Sequence, residues 1–209
     1  AAMLASMTLG NTTVFVPSFT PLGVLEVIQA ERATQVLLVP TMIQMLVDHP
    51  ERPKYDTSSL QRVLYGASPM SEGVMRRALE AFPNAGFTQA YGMTELSPCA
   101  TILPAWYHTA EGRQAGKMRS GGRATFTAEV RIVDAEDREV PRGTVGEVCV
   151  RGPGVMKGYW NKPDLTEAAL RGGWMHTGDA AYMDDDGFVF IVDRKKDMII
   201  TGGENVYSA

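Results

Sequence analysis

Short apolar runs alternate with helical periodicities through the first half of the chain. Leu22, Leu25 and Ile28 recur at three-residue spacing behind Thr20-Pro21. A threonine cap with proline at the first helical position predicts a helix start there. Val36-Leu37-Leu38-Val39 is a continuous apolar run, the pattern of a buried parallel strand. Pro40-Thr41 opens a second predicted helix that runs to about Val47. Arg62-Val63-Leu64-Tyr65 reads as another strand. Ser71 caps a helix to about Phe82, with Glu72 near its positive end. Phe87-Thr88-Gln89 is a third strand. Strands alternating with helices predict a mostly parallel sheet flanked by helices. The loops after Tyr65 and Gln89 then lie at the carboxyl ends of strands, where open α/β sheets bind ligands.

The pattern changes near Glu111. Glu129-Val130-Arg131-Ile132 and Glu147-Val148-Cys149-Val150-Arg151 alternate with period two, and Phe188 to Val192 is rich in β-branched and aromatic residues. Glycine and proline punctuate the segments between. Leu165 to Leu170, behind Pro163-Asp164, reads as one short helix. Asp184-Asp185-Asp186-Gly187 reads as a hairpin turn of solvated carboxylates, because the ligand spacing of a calcium loop is absent. The expected class is α/β. A parallel-sheet lobe with flanking helices spans residues 1–110, followed by a small antiparallel β-barrel subdomain at 111–196.

Composition narrows the function classes. The 209 residues are 44% hydrophobic and 21% charged, as in a globular protein, with a formal net charge of −4. The basic residues are dispersed, so no nucleic-acid surface is expected. Cys99 and Cys149 are too few for a disulfide framework and read as small buried or half-buried hydrophobes. No apolar run reaches the roughly 18–20 residues of a membrane span. The apolar opening from Ala1 to Leu9 lacks a basic leader and reads as a buried helix. The expected compartment is cytoplasmic. His49, His108 and His176 are scattered without zinc-ligand spacing. Gly66-Ala67-Ser68-Pro69 lacks the pattern of a nucleophile elbow.

The candidate chemistry centres on Tyr91-Gly92-Met93-Thr94-Glu95. An aromatic face, a glycine, a hydroxyl and a carboxylate within five residues suit a nucleotide: a ring for adenine, a hydroxyl for phosphate and a carboxylate for Mg²⁺. Gln89, two residues earlier on the strand, offers an amide to the adenine amino group, with a plain strand-end polar residue as the competing reading. Read alone, Thr94-Glu95 is better taken as a helix cap with a first-turn acid; both readings are compatible, since a helix N-terminus also favours phosphate. Asp179, presented from a turn after Thr177-Gly178, suits ribose hydroxyls, with an Asx-turn as the competing reading. Arg194 could reach the same ribose or form a surface ion pair.

These segments, in this order, resemble the adenylate-forming superfamily of acyl-CoA synthetases, aryl-CoA ligases, luciferases and peptide-synthetase adenylation domains. The likeness covers nearly the whole chain. It includes Gly66-Ala67-Ser68-Pro69-Met70-Ser71 beside the adenine, the signature Gln89 to Glu95, Gly158-Tyr159-Trp160-Asn161-Lys162-Pro163, His176-Thr177-Gly178-Asp179, and Asp193 through Gly203-Glu204-Asn205. The resemblance implies two half-reactions. A carboxylate attacks the α-phosphorus of ATP to give acyl-adenylate and pyrophosphate, and a thiol, usually of coenzyme A, then displaces AMP.

It further implies nucleotide contacts from Gly66, Ala67, Ser68, Gln89, Tyr91, Gly92, Thr94, Asp179 and Arg194. Glu95 is the implied Mg²⁺ ligand, and Lys196 the hinge between two catalytic conformations. Residues 197–209 then begin a further domain. The family's upstream phosphate loop and C-terminal catalytic lysine are not found in the sequence, which leads us to expect a piece of a longer enzyme, inert by itself. The acid pocket is expected along Val39–Thr41, Tyr65–Ala67 and Gly92-Met93, where glycines at 66 and 92 leave room for an aryl ring or alkyl chain. Three alternatives stay open: transfer to a carrier-protein thiol, a non-catalytic AMP-binding module, and a structural piece that binds nothing.

Overall fold

A computed structural model describes residues 6–68, 70–194, 198–201 and 204–207. The expected helix starts are realised. Thr20 Oγ1 accepts from the Gly23 amide at 3.1 Å, and Pro21 leads α1 (Pro21–Ala30). Pro40 leads α2 (Pro40–Val47). Ser71 Oγ accepts from the Val74 amide at 3.3 Å ahead of α3 (Glu72–Ala81). Each helix buries one stripe: Leu25 and Ile28, Ile43 and Leu46, Met75 and Ala78.

These stripes share one core with Leu38, Val63, Tyr65 and Phe87. Those side chains come from one face of strands β1 (Gln35–Leu38), β2 (Arg62–Gly66) and β3 (Gly86–Tyr91), which pair in parallel. Two antiparallel strands complete the sheet, β4 (Thr101–Leu103) and β5 (Arg123–Ala124), so it is mixed. Its last strand lies C-terminal to residue 110. The continuous apolar run at 36–39 suggests a strand covered on both faces. Instead Leu37 is 57% exposed, because all three helices pack on the other face.

The second sheet is antiparallel in chain order: β6 (Glu129–Val133), β7 (Gly146–Arg151), β8 (Met175–Met183) and β9 (Val189–Arg194). It is an open, barrel-like sheet with its own core of Ile132, Val148, Val150, Met175 and Val189. The short helix α4 (Pro163–Ala169) precedes β8. Period-two alternation does not reveal β8, since residues 176–179 are polar or glycine and the ladder slips on both sides of the strand. The β8–β9 hairpin turns at Asp184–Gly187 as expected, but two of its carboxylates are engaged. Asp184 accepts from the Phe188 amide, and Lys117 Nζ lies 2.6 Å from Asp184 and 2.7 Å from Asp186. Further on, β10 (Met198–Thr201) pairs antiparallel with β11 (Glu204–Tyr207).

Backbone bonds join the sheets. The Gly121 amide donates to the Val189 carbonyl at 2.7 Å, and the Val189 amide to the Gly122 carbonyl at 2.9 Å. Phe188 sits beneath Lys117 and Arg123, with Tyr107 against its edge. Among the described residues no helix is long and apolar enough to cross a membrane.

Two glycines test this packing in opposite directions. A Cβ on Gly66 would lie 2.3 Å from the Ala90 carbonyl oxygen, so Gly66→Ala must force β2 from β3. We expect a loss of about 1–3 kcal/mol. On α3 a Cβ at Gly73 meets only an Arg77 nitrogen at 3.8 Å. Gly73→Ala should therefore stabilise by roughly 0.5–1 kcal/mol. Urea unfolding midpoints at constant slope check both.

Candidate functional site

Parallel pairing brings two loops to one edge. Gly66 faces Ala90 in the β2–β3 register, so Ala67-Ser68 and Gly92–Glu95 leave the sheet side by side. Ala67 holds a left-handed φ of 69°, a strained choice for a residue with a Cβ. The two flanking glycines do not leave open space. A Cβ at Gly92 would lie 2.1 Å from the Pro98 carbonyl oxygen, as one at Gly66 would crowd Ala90. Their small size serves close backbone approach, which corrects the expectation of room for an acyl group.

The second sheet meets this edge through Asp179, 7% exposed and 88 residues from its partner. The Tyr91 hydroxyl donates to Asp179 Oδ2 at 2.7 Å. Asp179 lies within β8 rather than on a turn; Gly178, at φ 75°, and a slipped ladder set it in a bulge. The bulge is tied from within, since Thr177 Oγ1 accepts from the Asp179 amide at 3.1 Å and donates to the Val148 carbonyl at 2.9 Å. The competing Asx-turn is thus replaced by a threonine-based turn. Arg194 stands opposite Asp179 in the β8–β9 register. Lys196 lies outside the described residues.

Thr94 and Glu95 form a single 3₁₀ turn (Thr94–Leu96) rather than the first turn of an α-helix, so no extended helix dipole faces the site. Thr94 is exposed and Glu95 half-buried. Tyr159, to which sequence reasoning gave no role, donates its hydroxyl to Glu95 Oε1 at 2.8 Å, while the Met156 amide donates to the Glu95 carbonyl at 2.8 Å. The segment from 156 to 159 therefore holds Glu95 by backbone and side chain. The signal was its glycine-tyrosine motif; the contact, 64 residues away, has no trace in local spacing. A lone carboxylate fits Mg²⁺ bound mainly by substrate phosphates and water. Among the described residues no three His, Cys, Asp or Glu gather to hold a metal by themselves.

Gln89 is engaged on the helix-covered face. The Tyr65 hydroxyl donates to Gln89 Oε1 at 3.2 Å and lies 2.7 Å from His108 Nε2. His108 is buried, and burial lowers its pKa to about 4, against a smaller opposing pull from the Pro104 and Ala105 carbonyls. Cys149 is also buried, 3.2 Å from His176 Nδ1. Burial, reinforced by the Glu147 charge, leaves its thiol pushed up to about 12, so it packs as an inert hydrophobe.

A mixed α/β sheet with two loops at its carboxyl edge, met by a buried aspartate from an antiparallel sheet, defines a two-part unit of the α/β class. Comparison with known proteins makes this specific. The model of the AMP-binding enzyme family matches residues 1–160, and the chain belongs to that family. It is 42% identical over 206 residues to a feruloyl-CoA synthase of Amycolatopsis sp, covering 99% of this chain and 40% of the relative. It is 41% identical to the medium/long-chain-fatty-acid–CoA ligase FadD8 of Mycobacterium tuberculosis, covering 95% and 34%. Among solved structures, the amide bond synthetase McbA of Marinactinospora thermotolerans superposes with a TM-score of 0.89 at 38% identity, covering 99% of this chain and 41% of that one. The chain thus spans about 40% or less of the length of these curated relatives.

The buried imidazole gives the site's scaffold a pH signature. With a folded pKa near 4 and an unfolded pKa near 6.5, only the unfolded chain binds a proton between those values. Stability is complete above about 6.5 and falls with acid to about 4, by on the order of 3 kcal/mol. His108→Gln should remove this slope from unfolding free energies measured across pH 4–7.

Proposed function

We propose that the chain carries the nucleotide site of an ATP-dependent, AMP-forming ligase that activates a carboxylic acid as its acyl-adenylate. The observation that carries this reading is the Tyr91–Asp179 hydrogen bond. It joins the signature loop to a buried carboxylate at the ligand-binding edge of the sheet. In this reading the Tyr91 ring stacks on adenine beside Gly66-Ala67-Ser68, with Gln89 near the adenine amino group. Asp179 accepts ribose hydroxyls. Arg194 completes that contact, an assignment supported by its ladder position opposite Asp179. Gly92 lets the signature loop pack against Pro98 so that its backbone faces the nucleotide, and Thr94 offers its exposed hydroxyl to the α-phosphate. Lys196 serves as the hinge residue between the two half-reactions.

Free carboxylates acylate thiols poorly because the leaving group is poor; adenylation supplies a better one. The chain's contribution to that step is positioning and charge stabilisation. Glu95 would hold Mg²⁺, which when bound would supply positive charge against the phosphates, and the Tyr159 hydroxyl keeps the Glu95 carboxylate aimed. Coenzyme A is the proposed acceptor, on the strength of the two named ligases. Their names divide between an aryl and a fatty acid, the two classes proposed here. The likeness to an amide bond synthetase favours a second reading in which an amine takes the acyl group. A cytoplasmic site of action suits ATP as substrate and two unpaired cysteines.

The test uses the intact protein that contains this chain. Acid-dependent ATP–pyrophosphate exchange isolates adenylation. Glu95→Gln should abolish most exchange at limiting Mg²⁺, because an amide is a poor Mg²⁺ ligand; near wild-type exchange there would remove Glu95 from the metal site.

Asp179→Ala removes a charged acceptor, worth roughly 1.5–3 kcal/mol, about ten- to over a hundred-fold in ATP affinity. The Michaelis constant for the acid should barely move. The reverse pattern, with ATP unchanged and the acid constant raised, contradicts the ribose assignment.

A further inference from the structure

We propose that Glu147 is a positioning residue for nucleotide recognition, its carboxylate holding the 177–179 bulge in the shape that aims Asp179 at Tyr91 and the ribose. The inference rests on reading Asp179 as the ribose acceptor. The β7–β8 ladder shows why such a residue is needed. Ala180 pairs with Glu147 and His176 with Cys149, so β8 spends four residues where β7 spends two. The amides of the extra residues lose their ladder partners, and a buried amide without an acceptor is costly. Glu147 supplies one: the Gly178 amide donates to Glu147 Oε1 at 3.0 Å. Nothing lies within 4 Å of the Cβ position at Gly178, so the bulge is shaped by its hydrogen bonds rather than wedged from the far side.

A buried carboxylate is a costly way to accept one hydrogen bond unless its charge is compensated. Here it is. Glu147 is 8% exposed, and its second oxygen lies 3.5 Å from both Arg171 and His176 Nδ1. Asp137 closes the cluster from outside, 3.0 Å from Arg171 and 3.8 Å from His176 Nε2. One oxygen is thereby fixed toward Arg171 and the His176 ring and the other toward the bulge. The chain of contacts runs from Arg171 through Glu147 and Gly178 to Asp179 and Tyr91.

Pyrophosphate exchange on the intact protein, with ATP and acid varied separately, tests this. Glu147→Ala should raise the Michaelis constant for ATP roughly tenfold and that for the acid less than about twofold, the loss of one charge-assisted hydrogen bond felt only through Asp179. Glu147→Gln keeps an acceptor and should recover most of the ATP affinity. If Glu147 acts through Asp179, adding Glu147→Ala to Asp179→Ala should cost nothing further. Should Glu147→Ala not fold, Glu147→Asp replaces it, because the shorter carboxylate keeps its charge beside Arg171 but withdraws from Gly178.

Additive losses, or equal changes in both Michaelis constants, overturn the positioning role and leave the ribose assignment standing. An unchanged ATP constant in Asp179→Ala alone overturns the ribose assignment, and this proposal with it.

Discussion

The hydrogen bond from Tyr91 to Asp179 crosses between two sheets whose hydrophobic clusters meet where Leu96 and Ala100 pack against the second sheet. A hydroxyl-to-carboxylate bond of 2.7 Å tolerates little sliding. It therefore sets the relation between the carboxyl edge of the first sheet and the bulged strand of the second. The neighbouring contacts can be understood as supports for that geometry. The paired bonds between Gly121-Gly122 and Val189 hold the sheets at backbone distance. Phe188, under two cations and against Tyr107, packs beside those bonds.

Both polar partners are in turn aimed by the backbone beneath them. Tyr91 ends a strand whose parallel register with β2 is enforced by a close approach only Gly66 permits. Asp179 follows a left-handed glycine in a bulge whose amides are met by side chains of β7 and β8. Glu95 follows the same principle, held at its carbonyl by Met156 and at its carboxylate by Tyr159. Short, strained or slipped backbone carries the candidate chemistry, and regular strands and helices carry the stability. That division is common where a loop must present groups to a ligand.

Local rules made much of the first lobe legible. Thr20-Pro21, Pro40 and Ser71 begin helices because their caps act within one turn, and one turn is what a sequence window contains. The alternating segments at 129–132 and 147–151 became strands for the same reason. β8 escaped because its polar bulge breaks the alternation that marks a strand. Leu37 misled because an apolar run reports only that a residue can be buried, while the position of the helices decides which face is covered. The glycines at 66 and 92 misled in the same way: a missing side chain does not say whether a ligand or another backbone takes its place.

The sequence by itself determined the family, the α/β class, the order of the candidate loops and the identity of Tyr91, Thr94, Glu95 and Asp179 as candidates, because these are carried by residue type and short-range spacing. Tertiary structure alone decided who meets whom. That Tyr91 binds Asp179, that Tyr159 aims Glu95, that Gln89 turns to Tyr65 beside His108, and that Glu147 supports a bulge 31 residues away are pairings between distant segments. Each depends on strand register, and a register shift of one residue turns every side chain to the opposite face. No local pattern encodes that choice; it follows from how whole sheets and their cores pack.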